Sequence, residues 1–149
     1  MPVILLVEDD SELREMLRTA LLRKDYTVIE ADNGKDALIR FKPGVTDVVI
    51  ADLIMPEEDG LKVIIKVKEL KPGIRTIAIS GGGKAGPSSY LEMARALGAD
   101  AVYSKPFSVT DLVKKIEDLL RQRPGPQSGS AGKDGKEPGS GSKSDSAGE

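Results

Sequence analysis

Residues 48–60 read VVIADLIMPEEDG, an apolar run that ends in one acid, Asp52, and breaks at Pro56 and Gly60. Four strand-forming residues in a row, with no polar alternation, predict a strand covered on both faces, as in the parallel sheet of an α/β fold. Asp52 then stands at the carboxyl end of that strand, where such folds place ligands. A lone acid there can equally cap a loop or the following helix, so its meaning depends on what else converges on the same edge.

The residues on either side repeat the pattern. Val3 to Val7 is a second short apolar run, and it ends in Glu8, Asp9 and Asp10. Leu13, Met16, Leu17, Ala20 and Leu21 follow at the spacing of one buried helical face, with Asp10 or Ser11 as the cap. Thr27 to Ala31 reads as a strand, and Asn33-Gly34 turns into a short helix with Ala37, Leu38 and Phe41 inward. After Asp52 a helix runs from about Gly60 to Lys71, with Leu61, Ile64, Ile65 and Leu70 as its inner residues, until Pro72-Gly73 stops it. Ile74 to Ser80 is a fourth strand ending on a hydroxyl. A helix from about Ser88 to Leu97 turns Leu91, Ala94 and Leu97 inward, and Gly98 ends it. Ala101 to Ser104 is a fifth strand closing on Lys105-Pro106. The last helix, Asp111 to Arg121, has Leu112, Ile116, Leu119 and Leu120 inside.

Five strands alternating with five helices make a (βα)5 pattern, which right-handed crossovers fold into a doubly wound parallel sheet with helices on both faces. The expected strand order is 2-1-3-4-5, the flavodoxin-like one, with its switch point between the first and third strands. Both acid-ending strands flank that crevice.

Composition limits the chemistry. The chain has 149 residues and a net charge of −2 with both signs interspersed, so it shows no electrostatic footprint for nucleic acid. Residues 124–149 contain no large apolar side chain and are rich in Gly, Ser and Pro; they read as a disordered extension, leaving residues 1–123 as the folded unit. There is no cysteine, so disulfide and thiolate chemistry are excluded and a cytoplasmic location is expected. The opening apolar run is too short to span a membrane. Histidine is also absent, which excludes Ser-His catalysis, histidine metal sites and phosphohistidine on this chain.

What remains gathers at one edge of the sheet: Glu8, Asp9 and Asp10 after the first strand, Asp52, Ser80, and Lys105. Carboxylates crowded at a partly buried edge need a cation or raised pKa values to coexist. All-oxygen ligands point to Mg²⁺, which is typically held by one or two carboxylates plus a phosphate. Lys105 offers a compact positive charge and Ser80 a hydrogen-bond donor, both suited to phosphoryl oxygens. The group fits phosphoryl transfer onto a carboxylate.

ILLVEDD at the first strand, VVIADLIMPEEDG at the third, IAIS at the fourth and YSKPF after the fifth together resemble a response-regulator receiver domain of two-component signalling, over about residues 1–123. The resemblance is to the stand-alone, chemotaxis-regulator type. It implies that Asp52 accepts a phosphoryl group from a sensor histidine kinase or phosphotransfer protein. It also implies that Asp9, Asp52 and the backbone carbonyl of Ile54 hold Mg²⁺, with Glu8 reaching the metal through water. Lys105 would pair with carboxylate or phosphoryl oxygens, Ser80 would move to hydrogen-bond the phosphoryl group, and Pro106 would be the family's cis proline. Such a chain is a phosphoacceptor that assists its own phosphorylation and dephosphorylation rather than an enzyme, and it acts either on a downstream protein target that the sequence does not name or by relaying the phosphoryl group.

The chain departs from the family at Val102, where many receivers carry an aromatic switch residue three positions before the lysine; Tyr103 next to it points to the opposite face. The competing reading is a receiver-like binding module that works without phosphorylation. Gly81 to Gly86 (GGGKAG) matches a dinucleotide fingerprint, but no acid ends the next strand, and the phosphate-loop pattern fails at Ala85. An aspartyl phosphatase would need D-x-D-x-[TV] after its first strand, and Glu8-Asp9-Asp10-Ser11 does not supply it.

Overall fold

The structure, a computed structural model, describes residues 1–54, 60–81 and 87–122, with no description of the side chains from 87 to 91. The expectations for the extension at 124–149, for the break at Pro56, for the glycine loop from Gly82 to Gly86, and for Leu91 lie outside the described residues.

The chain alternates β1 (Val3–Val7), α1 (Ser11–Leu22), β2 (Thr27–Ala31), α2 (Gly34–Arg40), β3 (Val48–Asp52), α3 (Gly60–Leu70), β4 (Arg75–Ser80), α4 (Pro87–Ala96), β5 (Ala101–Ser104) and α5 (Val109–Arg121). The strands form one parallel sheet in the order β2-β1-β3-β4-β5, as the alternating pattern predicts. Burial follows position in the sheet. Every residue of central β3 is buried, whereas the edge strands β2 and β5 are only half covered.

The pleat divides the core. Ile4, Leu6, Val48, Ile50, Ile77 and Ile79 face Leu17 and Leu21 of α1 and Leu112 and Ile116 of α5. Leu5, Val7, Val49 and Ala51 face Ala37 of α2 and Val63 and Val67 of α3. Leu53, Leu61, Ile64, Ala78 and Ala94 close the second face beneath α4. Val102 packs on this last cluster and Tyr103 on the first, so the two residues do point to opposite faces.

Several helix faces differ from the expected ones. α3 buries Gly60, Val63, Ile64 and Val67, an i, i+3, i+4, i+7 stripe, and leaves Ile65 and Leu70 exposed. Its sequence is apolar on more than one side, and the sheet accommodates only one of them. Met16 of α1 and Leu97, one residue past the end of α4, are also exposed, against the expected inward faces. α5 adds Val113 to the buried set, and it begins at Val109 with Ser108 as its cap, two residues before the predicted start.

Candidate functional site

The carboxyl ends of β1, β3, β4 and β5 lie side by side. Val7 pairs with Ala51 and Asp52 with Ile79, which places Glu8 beside Asp52 one rung past the β1 ladder. Glu8 shares the pleat parity of Leu6, and Asp52 that of Ile50, so both carboxylates emerge on the face covered by α1 and α5. Strand β4 ends at Ser80, opposite Ser104, and the Lys105 amide donates to the Ser80 carbonyl at 2.9 Å. That bond fixes the backbone from which the lysine reaches back over the sheet, and the peptide between Lys105 and Pro106 is cis.

Lys105 Nζ lies 2.8 Å from Asp52 Oδ2, and 3.3 and 3.4 Å from the two oxygens of Glu8. Asp52 is also held locally, because the Ile54 amide donates to its Oδ1 at 3.0 Å. Glu8 is fully buried; its Oε2 accepts from the Asp10 amide at 3.0 Å, and its Oε1 makes no hydrogen bond but forms the 3.3 Å ion pair with Lys105. Asp9 is exposed at the rim. One carboxylate oxygen from each of Glu8, Asp9 and Asp52 falls within 4.8 Å of the others.

Two glycines make this packing possible. A Cβ on Gly60 would lie 2.2 Å from the Asp52 carbonyl oxygen, so the start of α3 can rest on the end of β3 only without a side chain. A Cβ on Gly81 would lie 2.4 Å from Lys105 Cδ, in space occupied by the lysine stem.

The electrostatics follow from burial. Removal from water, and then the neighbouring Asp52 carboxylate, push the Glu8 pKa up to about 8, against the partial relief of the Asp10 amide and Lys105. Burial disfavours the charged form of Lys105, but its hydrogen bond to Asp52 and the charges of Asp52 and Glu8 more than compensate, holding its pKa above the usual lysine value. A buried acid whose Oε1 makes no hydrogen bond and only an ion pair, with oxygens of two further carboxylates within 4.8 Å, is a donor set suited to a hard divalent cation. The residues present therefore fit a metal of that class.

The structure thus brings together Glu8, Asp9, Asp52 and Lys105, with Ile54 contributing its amide to Asp52. Ser80 is fully buried at the end of β4, but its hydroxyl has no hydrogen-bond partner and does not join the Lys105–Asp52 pair. Asp10 caps α1, accepting from the amides of Glu12 and Leu13. Arg14 escaped the sequence reading: its Nη1 donates to the Glu8 carbonyl at 2.7 Å. A cation near the start of a helix, where the dipole disfavours it, was the one local sign of an outside partner.

Among the described residues no helix is long and apolar enough to cross a membrane.

The sequence model of the response regulator receiver domain matches residues 4–117. The chain is 35% identical over 118 residues to the response regulator receiver protein CpdR of Brucella abortus, covering 78% of this chain and 95% of that protein. It is 32% identical to the transcriptional regulatory protein ResD of Bacillus subtilis over 80% of its own length, and spans about half, 48%, of ResD. Among solved structures, that of the response regulator TrrA from Thermotoga maritima in complex with Mg²⁺-BeF matches with a TM-score of 0.69 at 31% identity, covering 80% of this chain and all of that one. With its doubly wound sheet, its acidic cluster and a family match that runs from β1 into α5, the chain belongs to the response-regulator receiver domains of two-component signalling.

Proposed function

We propose that Asp52 is the phosphoacceptor of this receiver, taking a phosphoryl group from a phosphohistidine on a partner kinase or phosphotransfer protein. The observation that carries this reading is the 2.8 Å contact of Lys105 Nζ with Asp52 Oδ2 beside a cluster of three carboxylates. In the transfer, an Asp52 carboxylate oxygen forms a bond to phosphorus while the phosphorus–nitrogen bond to the donor's protonated imidazole breaks, and the ring leaves as neutral imidazole, keeping the proton already on its other nitrogen. Lys105 offsets the negative charge that gathers on Asp52 and the incoming oxygens. Ser80, whose buried hydroxyl is unpartnered, has a donor to spare for a phosphoryl oxygen.

Glu8, Asp9, Asp52 and the Ile54 carbonyl are the residues we assign to Mg²⁺, which when bound supplies charge neutralisation for the phosphoryl oxygens. The complex named for TrrA, with Mg²⁺ and BeF, supports the choice of ion. Val102 favours one second reading, a binding module that acts without phosphate, because this position lacks the aromatic side chain whose rotation couples many receivers to their partners.

Intact mass after incubation with a small phosphodonor, with and without Mg²⁺, tests the proposal on the parent and on Asp52→Asn. The expected result is the gain of one phosphoryl group that requires both Mg²⁺ and Asp52. A gain that survives in Asp52→Asn overturns the assignment of Asp52. No gain, together with no Mg²⁺-dependent binding of beryllofluoride, leaves the phosphate-independent module as the function.

A further inference from the structure

The acidic tripeptide Glu8-Asp9-Asp10 is braced at both ends by one residue. Arg14 donates its backbone amide to the Asp10 carbonyl at 2.9 Å, and its side-chain Nη1 to the Glu8 carbonyl at 2.7 Å. The same guanidinium donates Nε to Glu30 Oε1 at 3.1 Å, and the other Glu30 oxygen lies 3.3 Å from Arg18 Nε. The Glu8 amide completes the frame by donating to the Ala31 carbonyl of β2 at 3.0 Å.

Two consequences follow from this geometry. The orientation of the Glu8–Asp9 peptide decides where the Glu8 and Asp9 side chains leave the backbone, and the Glu8 end of that peptide is fixed by a charge-assisted bond from α1. Asp9 itself accepts no hydrogen bond among the described residues, so its carboxylate is aimed by the backbone alone. The Arg14 fork is in turn aimed by Glu30, because a guanidinium that donates in two directions at once has little rotational freedom left.

We propose that Arg14 is a positioning residue for the divalent-cation site: its bond to the Glu8 carbonyl presets the Glu8 and Asp9 carboxylates, and its pair with Glu30 ties that setting to β2 and the outer surface of α1. The inference rests on the assignment of the acidic cluster to Mg²⁺. Partners that orient metal ligands without touching the metal commonly change affinity by about 10-fold or more when removed. Force on α1, for instance from a docked partner, would reach the acids through this bond.

The test is Mg²⁺ affinity by isothermal titration calorimetry, with urea unfolding of the metal-free proteins run in parallel. Arg14→Met is expected to weaken Mg²⁺ binding about 10-fold. Arg14→Lys, which keeps one donor and the charge, is expected to recover part of the loss, and Glu30→Gln to weaken binding by a smaller factor. Arg40→Met, which removes an exposed ion pair to Asp36 on α2, serves as control and leaves affinity unchanged. If Arg14→Met lowers the unfolding midpoint but binds Mg²⁺ as the parent does, Arg14 merely anchors α1 and the proposal is overturned. Should Arg14→Met fail to fold, unchanged affinity in both Arg14→Lys and Glu30→Gln overturns it instead. A parent that binds no Mg²⁺ overturns the metal assignment first and this inference with it.

Discussion

Lys105 and Asp52, 53 positions apart in the chain, meet at 2.8 Å across the carboxyl ends of β3 and β5, with β4 between them. The lysine bridges to Glu8 as well, so one cation serves two buried carboxylates. In the metal-free protein, Lys105 is the positive charge set against the buried Asp52 and Glu8 at this edge of the sheet.

Replacing Lys105 with Met, which keeps most of the stem, separates these roles. The variant is expected to lose on the order of 2 kcal/mol in metal-free urea unfolding, below the usual cost of breaking a buried pair because the lysine side chain is 26% exposed. Its Mg²⁺ affinity should rise, since the cation then meets uncompensated carboxylates, while phosphoryl acceptance falls. Unchanged Mg²⁺ affinity would mean that Lys105 does not compete electrostatically with the metal.

Glu8 makes the site sensitive to pH. Its folded-state pKa of about 8 lies above the ordinary 4.5, so the folded protein retains a proton that the unfolded chain gives up. The stability this contributes is fully present below the unfolded value and is lost as pH rises through the folded one. Metal-free parent protein should therefore lose stability between about pH 5 and 8 relative to Glu8→Gln. Because the metal requires the carboxylate, Mg²⁺ affinity should climb over the same range in the parent and stay flatter in Glu8→Gln. Parallel stability curves for the two proteins across that range would show that Glu8 is not protonated in the fold.

Gly60 is expected to tolerate no side chain. In Gly60→Ala the added carbon would fall 2.2 Å from the Asp52 carbonyl oxygen, a backbone atom that cannot rotate away. The start of α3 or the end of β3 has to shift, at a cost of about 3 kcal/mol. Denaturant unfolding measures the cost, and phosphoryl incorporation in the folded fraction reports whether Asp52 has moved.

Arg75 secures the far end of α5. Its guanidinium donates to the carbonyls of Leu119, at 3.1 Å, and Gln122, two groups that the helix end leaves without intrahelical donors. Arg75→Ala is expected to cost about 1 kcal/mol and to raise amide exchange in the last turn of α5 while β1 and β3 stay protected. Exchange that rises uniformly across the sheet would instead assign Arg75 a global role.

The strands and the acids at their ends were legible because both are local. A continuous apolar run such as Val48–Ala51 carries its own signature of two-sided burial, and Asp52, Glu8 and Lys105 each sit directly at or after such a run. Helix faces were less legible where composition was ambiguous. Ile65 and Leu70 are as apolar as Val63 and Val67, and only the fit of α3 against β1 and β3 put the last two inside.

From its sequence alone the chain was determined to be an alternating α/β protein, with an acid-rich edge where its strands end and no histidine or cysteine to support other chemistry. The tertiary structure decided which of those groups touch. Register set Glu8 beside Asp52, the turn after β5 returned Lys105 to both, and Arg14 reached back from α1 to hold the Glu8 carbonyl. Residue spacing specifies period and direction along one element; a distance of 3 Å between side chains on different elements depends on how those elements pack, and only the folded sheet with its helices fixes that.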